Sequence, residues 1–169
     1  DALIVFTKRM VLDIAGRLER DGIQVSVIYG SLPPEIRRRQ IRIFLEKKTR
    51  VIVSTDAIGM GLNLPVRRIV FVQTTKFDGK STRPLAVPEI HQIAGRAGRF
   101  GLYDTGYVNA VSQEGLDFIR AHFYEEDPKV DHVSLGFPQV LLDMDDPLDA
   151  VMNIWKSVEI EPPFEKISI

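Results

Sequence analysis

Cysteine is absent from this chain, which excludes disulfides, thiol nucleophiles and zinc sites built on thiolates. No apolar run approaches the roughly 18 residues that a membrane-spanning helix needs, and there is no signal-peptide pattern. The three histidines are scattered along the chain, so we expect no metal site. These absences favour a globular protein that neither crosses a membrane nor is secreted.

Net charge is also nearly absent, at −1, but this value conceals two oppositely charged halves. Residues 1–113 hold 18 lysines and arginines against 10 aspartates and glutamates, whereas residues 114–169 hold 4 against 13. Such a division is typical of a half that meets an anion, and equally of two solvated faces of opposite sign. Because the chain begins at Asp1, directly before an apolar run, we expect it to be part of a longer polypeptide.

Short apolar segments alternate with segments of helical periodicity along most of the chain. We predict strands at residues 3–6, 25–29, 50–54, 68–73 and 107–111, and helices at 10–21, 33–47, 88–100 and 114–124, with a loop at 74–87. This alternation predicts an α/β fold, a parallel sheet with helices on both faces. Acidic residues then cluster between short apolar stretches, with one further helix expected at 147–158. We therefore expect a main domain at 1–125 and an acidic extension or linker at 126–169.

The most informative stretch is QIAGRAGR, residues 92–99. On a helix, Gln92, Arg96 and Arg99 would lie within about 60° of one face. The two glycines would leave the neighbouring surface bare, so that a polyanion or another domain could approach the arginines. Arginine suits phosphate because its planar fork binds two oxygens and stays charged. The alternative is a solvated basic helix, but two internal glycines would cost such a helix about 1 kcal/mol each.

A second stretch, STDAIGMGLNLP at residues 54–65, directly follows an apolar strand. In open α/β sheets, ligands bind beyond the carboxyl ends of the strands, which is where Thr55 and Asp56 would lie. Threonine can donate to a phosphate, aspartate can accept from a sugar hydroxyl, and Gly59 and Gly61 permit close approach of the backbone. The alternative is a purely structural turn between strand and helix.

With STDAIGMGLNLP before QIAGRAGR in the chain, within one parallel α/β unit, the two stretches resemble the second RecA-like domain of superfamily-two helicases. Within that group they are most similar to the DExH-type RNA helicases of the mitochondrial degradosome and their bacterial relatives. The resemblance covers residues 3–112 and implies ATP-dependent unwinding of nucleic acid, expected to be RNA, held as a single strand. It implies that ATP and Mg²⁺ are bound mainly by a first RecA-like domain of the same polypeptide. The implied location is the bacterial cytoplasm or the mitochondrial matrix.

The resemblance also implies roles for single positions. Arg99 matches the arginine finger, and Gln92 and Arg96 match positions that face the ATP phosphates, so that Arg96 and Arg99 are the expected catalytic residues. Asp56 and Gly61 match positions toward the nucleotide. The positions that match nucleic-acid contacts are Thr7, Lys8, Gly30, Ser31 and Thr55. The chain departs from the pattern at Ile93, where many relatives have another arginine.

A complete motor of this class also needs a GxxxxGK[ST] phosphate loop and an acidic Mg²⁺ motif, and the sequence contains neither. We therefore expect the chain alone to be inactive. Two alternatives stay open. One is a catalytically silent RecA-like module that binds nucleic acid or acts as a scaffold. The other is a DNA helicase or translocase of the same superfamily, because contacts to the backbone carry no base information.

Overall fold

The computed structural model describes residues 1–59, 64–98, 103–129 and 131–167. Within these ranges the chain divides into two compact units, Asp1–Asp127 and Pro128–Ile169. The strands of the first unit are β1 (Ala2–Ile4), β2 (Val25–Ile28), β3 (Val51–Ser54), β4 (Arg68–Phe71), β5 (Thr75–Phe77), β6 (Thr82–Pro84) and β7 (Tyr107–Ala110). Its α-helices are α1 (Lys8–Arg20), α2 (Pro34–Leu45), α3 (Val87–Ala94) and α4 (Gln113–Phe123).

Five of the strands form a parallel sheet in the order β2-β3-β1-β4-β7. Successive side chains of a strand point to opposite faces, so Ile52 and Val53 of β3 enter two different cores. The core around Val53 is closed by α1, and the core around Ile52 is closed by α2, α3 and α4. The predicted parallel α/β fold with helices on both faces is thereby confirmed.

Local chemistry sets the ends of the helices. The Thr7 hydroxyl accepts a hydrogen bond from the backbone N–H of Met10 at 3.2 Å and so caps the start of α1. The turn after α1 uses Gly22 at φ +78°, a conformation that glycine adopts without strain. At the start of α2, Pro34 stands where a missing N–H costs nothing.

The predicted loop at 74–87 is wrong, because this segment holds an antiparallel hairpin. Strands β5 and β6 pair from Thr75↔Pro84 to Phe77↔Thr82. The carboxylate of Asp78 accepts the backbone N–H groups of Lys80 and Ser81, both at 2.9 Å, and closes the turn.

The predicted helix at 88–100 is too long. Helix α3 ends at Ala94, Gly95 caps it, and Gly98 turns the chain away at φ +75°. The Gly98 N–H donates to the carbonyl of Val66 at 2.8 Å, and a Cβ at Gly106 would lie only 2.5 Å from the Ala97 carbonyl. The glycines after α3 therefore allow two backbones to cross, and Arg96 follows the helix instead of continuing its face.

The second unit contains the parallel pair β8 (Val133–Leu135) and β9 (Phe164–Lys166), with helices α5 (Gln139–Leu142) and α6 (Leu148–Ser157). The helix expected at 147–158 is confirmed as α6, which buries Val151 and Trp155. The Lys166 ammonium donates to the Trp155 carbonyl at 2.6 Å and lies 5.1 Å from the centroid of its ring. Across the parts of the chain that the structure describes, no helix has the length and apolarity to cross a membrane.

Candidate functional site

Three of the sequence-predicted segments meet at one edge of the sheet. Because β1, β2 and β3 are parallel neighbours, the residues that follow them emerge on the same side. The N–H of Thr55 donates to the carbonyl of Ile28 at 3.1 Å, and the N–H of Val5 donates to the carbonyl of Ser54 at 2.9 Å. These bonds hold the starts of the three connections side by side.

The predicted nucleic-acid residues after β1 and β2 form an exposed neighbouring pair. The Lys8 ammonium lies 5.3 Å from the centroid of the Tyr29 ring, and Tyr29 directly precedes Gly30 and Ser31. Thr7 uses its oxygen as a helix cap, and its O–H remains able to donate. A cation, hydroxyls and the positive end of α1 thus share one surface, which suits phosphate groups.

The turn after β2, which contains Gly30 and Ser31, is called the Gly30 turn below. The sequence did not indicate Arg37, which supports this turn from α2. Its Nη2 donates to the carbonyl of Gly30 at 2.8 Å and approaches that of Tyr29 at 3.4 Å. Its Nε is buried without a hydrogen-bond partner, the one such side-chain atom among the residues described. The other arginines of α2, Arg38, Arg39 and Arg42, are all exposed. Only the position of Arg37 in the first turn of α2, directly after the Gly30 turn, could have indicated its role.

Hydrogen bonds within the segment stabilise Thr55 and the 3₁₀ turn that follows it, Asp56–Gly59. The Thr55 side chain accepts from the N–H of Ala57 at 3.3 Å, and the Ser54 hydroxyl donates to the Thr55 carbonyl at 2.8 Å. Thr55 is only 7% exposed. Its predicted contact with nucleic acid stays a prediction, because only its O–H is left to reach a ligand.

Asp56 contacts a residue that the sequence did not single out. Its carboxylate lies 2.8 Å from the Lys76 ammonium, which extends from β5, and Lys76 also lies 3.0 Å from the carboxylate of Glu89 in α3. Glu89 in turn pairs with both ends of the Arg83 guanidinium, at 2.8 and 3.0 Å. The structure therefore places Asp56 in a charge network, and its predicted approach to a nucleotide stays a prediction.

This network shifts the protonation of its members. The hydrogen bonds from Arg83 lower the pKa of Glu89 to about 2, helped by the Ala86 N–H and by Lys76 and opposed by burial. Burial by itself would lower the pKa of Lys76, but the hydrogen bonds to Asp56 and Glu89 outweigh it and raise that pKa. Glu89 and Lys76 are therefore both charged at neutral pH.

Helix α3 and the 3₁₀ turn are also in direct contact. An Nη of Arg96 donates to the carbonyl of Gly59 at 2.5 Å, and a Cβ at Gly59 would lie 3.1 Å from the Cγ of Gln92. On its other side α3 is held by His91, whose ring nitrogens lie 2.8 Å from a carboxylate oxygen of Asp127 and 2.9 Å from the carbonyl of Phe123.

The structure thus brings Gln92 and Arg96 to the same sheet edge as Thr55. The predicted residues Gly61 and Arg99 lie outside the described ranges. Within those ranges no group of three or more histidine, aspartate or glutamate residues could hold a metal ion.

Comparisons with known proteins show what the chain is similar to. Residues 1–101 match the family described as helicase conserved C-terminal domain. The chain is 40% identical over 142 residues to the mitochondrial ATP-dependent RNA helicase SUV3 of Oryza sativa subsp. japonica, covering 82% of this chain and 24% of that protein. It is 44% identical over 123 residues to the protein of the same name from Candida albicans, covering 70% and 17%. The chain therefore spans a quarter or less of the length of these curated relatives.

Solved structures share the fold. The C-terminal domain of the DEAD-box protein Dbp5 superimposes with a TM-score of 0.54 at 19% identity, covering 98% of this chain and 72% of that one. Dbp5 of S. cerevisiae bound to RNA and ADP BeF3 gives 0.57 at 24% identity, covering 75% and 32%. At these identities the likeness concerns the fold alone, and it confirms the RecA-like architecture.

Proposed function

The chain belongs to the helicase conserved C-terminal domain family, and we propose that it is the second motor domain of an ATP-dependent RNA helicase. In this proposal it lies in a longer polypeptide whose first RecA-like domain holds ATP and Mg²⁺. Similar proteins more than three times its length are named ATP-dependent RNA helicases and mitochondrial. We therefore place the protein in the mitochondrial matrix, with the bacterial cytoplasm as the alternative.

The observation that carries the proposal is the meeting of two kinds of segment at one sheet edge. Lys8 and the Gly30 turn, next to each other and exposed, would hold the backbone of a single strand together with Thr7, Ser31 and Thr55. Contacts of this kind are made to phosphates, so the grip would be indifferent to base sequence. The exposed residues Arg38, Arg39 and Arg42 of α2 are not part of this proposal.

On the other side of Thr55, the 3₁₀ turn and the end of α3 would face the nucleotide. A guanidinium has five N–H donors, so the bond from Arg96 to Gly59 does not by itself exclude a phosphate. In this proposal Gln92 and Arg96 contact the phosphates, Asp56 and Gly61 approach the nucleotide, and Arg99 stabilises charge during phosphoryl transfer. ATP with Mg²⁺ would supply the phosphoryl group, and movement of the two domains would shift the strand.

The test is ATP hydrolysis by the longer polypeptide and by this chain alone, each with single-stranded RNA or with DNA of the same sequence. We expect hydrolysis stimulated by RNA in the longer polypeptide and none from the chain alone. Hydrolysis by the purified chain would contradict its role as half of a site. Equal or stronger stimulation by DNA would favour the DNA helicase. No hydrolysis at all would favour a silent binding or scaffold module.

A further inference from the structure

The β5–β6 hairpin inserts one lysine where the two halves of the candidate site meet. The Lys76 ammonium lies 2.8 Å from Asp56, 3.0 Å from Glu89 and 5.9 Å from the centroid of the Phe6 ring. These partners belong to the 3₁₀ turn, to the first turn of α3 and to the connection after β1. The Lys76 ammonium therefore lies near Phe6, which directly precedes the proposed strand-binding residues Thr7 and Lys8. It also contacts Asp56 and Glu89, on the side proposed to face the nucleotide.

The environment of Lys76 makes its contacts hard to replace by water. Its side chain is 19% exposed, and those of Asp56 and Glu89 are 34% and 23% exposed. A cation that is largely removed from water needs charged partners, and carboxylates left without their cation repel each other. The contact between the hairpin, the turn and α3 thus depends on the charge of Lys76.

Glu89 has the largest number of hydrogen-bond partners among the residues that contact Lys76. Besides Lys76 it binds both ends of the Arg83 guanidinium and the N–H of Ala86 at 2.9 Å. Because Arg83 lies on β6 and Ala86 precedes α3, Glu89 joins the hairpin to the start of the helix. Lys76 then connects Glu89 to Asp56, the first residue of the 3₁₀ turn.

A second connection runs between the same two elements. Arg96, just beyond the end of α3, donates to Gly59 at the end of the 3₁₀ turn, whereas Lys76 joins the beginnings of both. Two attachments at opposite ends fix the orientation of the helix on the turn as well as its distance. Thr55 directly precedes Asp56, so a displacement of Thr55 by a bound strand would be passed through these attachments to α3.

From this geometry we propose that Lys76 is a positioning residue that couples binding of the strand at Thr55, directly before the 3₁₀ turn, to the placement of α3 at the nucleotide. The inference rests on the proposed function. Lys76 itself touches neither ligand in this account, and its effect passes through Asp56 and Glu89.

The test compares Lys76→Met, which keeps the length of the side chain and removes its charge, with Lys80→Met, a matched change of an exposed lysine in the turn of the same hairpin. Both are made in the longer polypeptide, and ATP hydrolysis is measured with and without single-stranded RNA. For Lys76→Met we expect the RNA-stimulated kcat to fall about tenfold, within the range of coupling networks. The basal rate, the KM for ATP and the half-saturating RNA concentration should stay within about twofold. Lys80→Met should match the wild type.

Lys76→Arg should recover most of the stimulated rate, because a guanidinium can donate to both carboxylates. If Lys76→Met does not fold, as judged by its melting curve, Lys76→Gln carries the test, since it keeps a hydrogen-bond donor and lacks the charge. Equal loss of basal and stimulated rates, or no loss, would overturn the positioning role while leaving the proposed function standing. A wild type without RNA-stimulated hydrolysis would overturn both.

Discussion

Replacing Glu89 with glutamine should destabilise the chain at neutral pH and leave it unaffected in strong acid. Glu89 accepts hydrogen bonds from Arg83, from the Ala86 N–H and from Lys76, and these lower its pKa from 4.5 to about 2. A shift of that size corresponds to about 3 kcal/mol at most. Solvent screens a pair that is still partly exposed, which reduces the expected loss to about 1–2 kcal/mol at pH 7.

The sign of the pH dependence follows from the direction of the shift. A carboxyl whose pKa is lower in the folded state than in the unfolded state stabilises the fold above the unfolded value. That contribution is lost as the pH falls from about 4.5 toward the folded pKa of about 2. The difference in stability between wild type and Glu89→Gln should therefore shrink over this window and vanish below it.

Thermal unfolding of the 169-residue chain, followed by circular dichroism from pH 7 to pH 2, measures this difference directly. A loss of about 1–2 kcal/mol lowers the Tm of a chain of this size by about 3–6 °C. Glu35→Gln is the matched control, because Glu35 is an exposed acid in the first turn of α2 and tests the effect of helix position alone. An equal loss in both variants, or a loss at Glu89 that persists at pH 2, would refute the argument.

Three further outcomes follow from the site. Arg99→Ala in the longer polypeptide should lower kcat on the order of 10³-fold, about 4 kcal/mol, while RNA binding without ATP survives; activity within a few-fold of wild type would contradict the arginine finger. Binding of single-stranded RNA to the chain alone should be weak and fall with salt at a log–log slope of roughly −2 to −3, as for three or four phosphates; a flat response would contradict a backbone grip. Gly106→Ala should destabilise the chain by about 1–3 kcal/mol, because its Cβ would lie 2.5 Å from the Ala97 carbonyl. Gly16→Ala in α1, whose Cβ has room, should not, and equal melting temperatures for the two variants would count against the backbone crossing.

The sheet could be predicted because its signal is local. Each of its strands is a short apolar run, and β3 buries Ile52 on one face and Val53 on the other, a pattern that the sequence displays directly. The grouping of Lys8, Gly30 and Thr55 then follows from the rule that parallel strands end on one side. For these residues the sequence already contained the necessary information.

The hairpin and the end of α3 could not be predicted in the same way. Strands β5 and β6 have three residues each and are largely polar, so they show no period, and their ion pairs join Lys76 to a residue 20 positions away. The sequence predicted Gly95 and Gly98 to be positions within a helix that leave its surface without side chains. Gly95 instead caps α3, and a Cβ at Gly98 would lie 3.0 Å from the backbone of Gly106, a residue of a different segment. Both errors concern structure that is fixed by long-range contacts.

Substitutions at Lys76 and at Glu89 can distinguish a structural role of the charge network from a role in coupling. If the network only holds the fold together, Lys76→Met and Glu89→Gln should lower the RNA-stimulated rate in proportion to the stability that each removes. If Lys76 transmits movement from the 3₁₀ turn to α3, its loss should lower that rate far more than its effect on melting explains. Glu89→Gln removes the charge but keeps an oxygen that can accept from Lys76 and from Arg83, so the connection to α3 survives in weakened form. It should therefore reduce stability with a smaller effect on the rate. The ratio of rate loss to stability loss, compared between the two variants, therefore decides between the two roles.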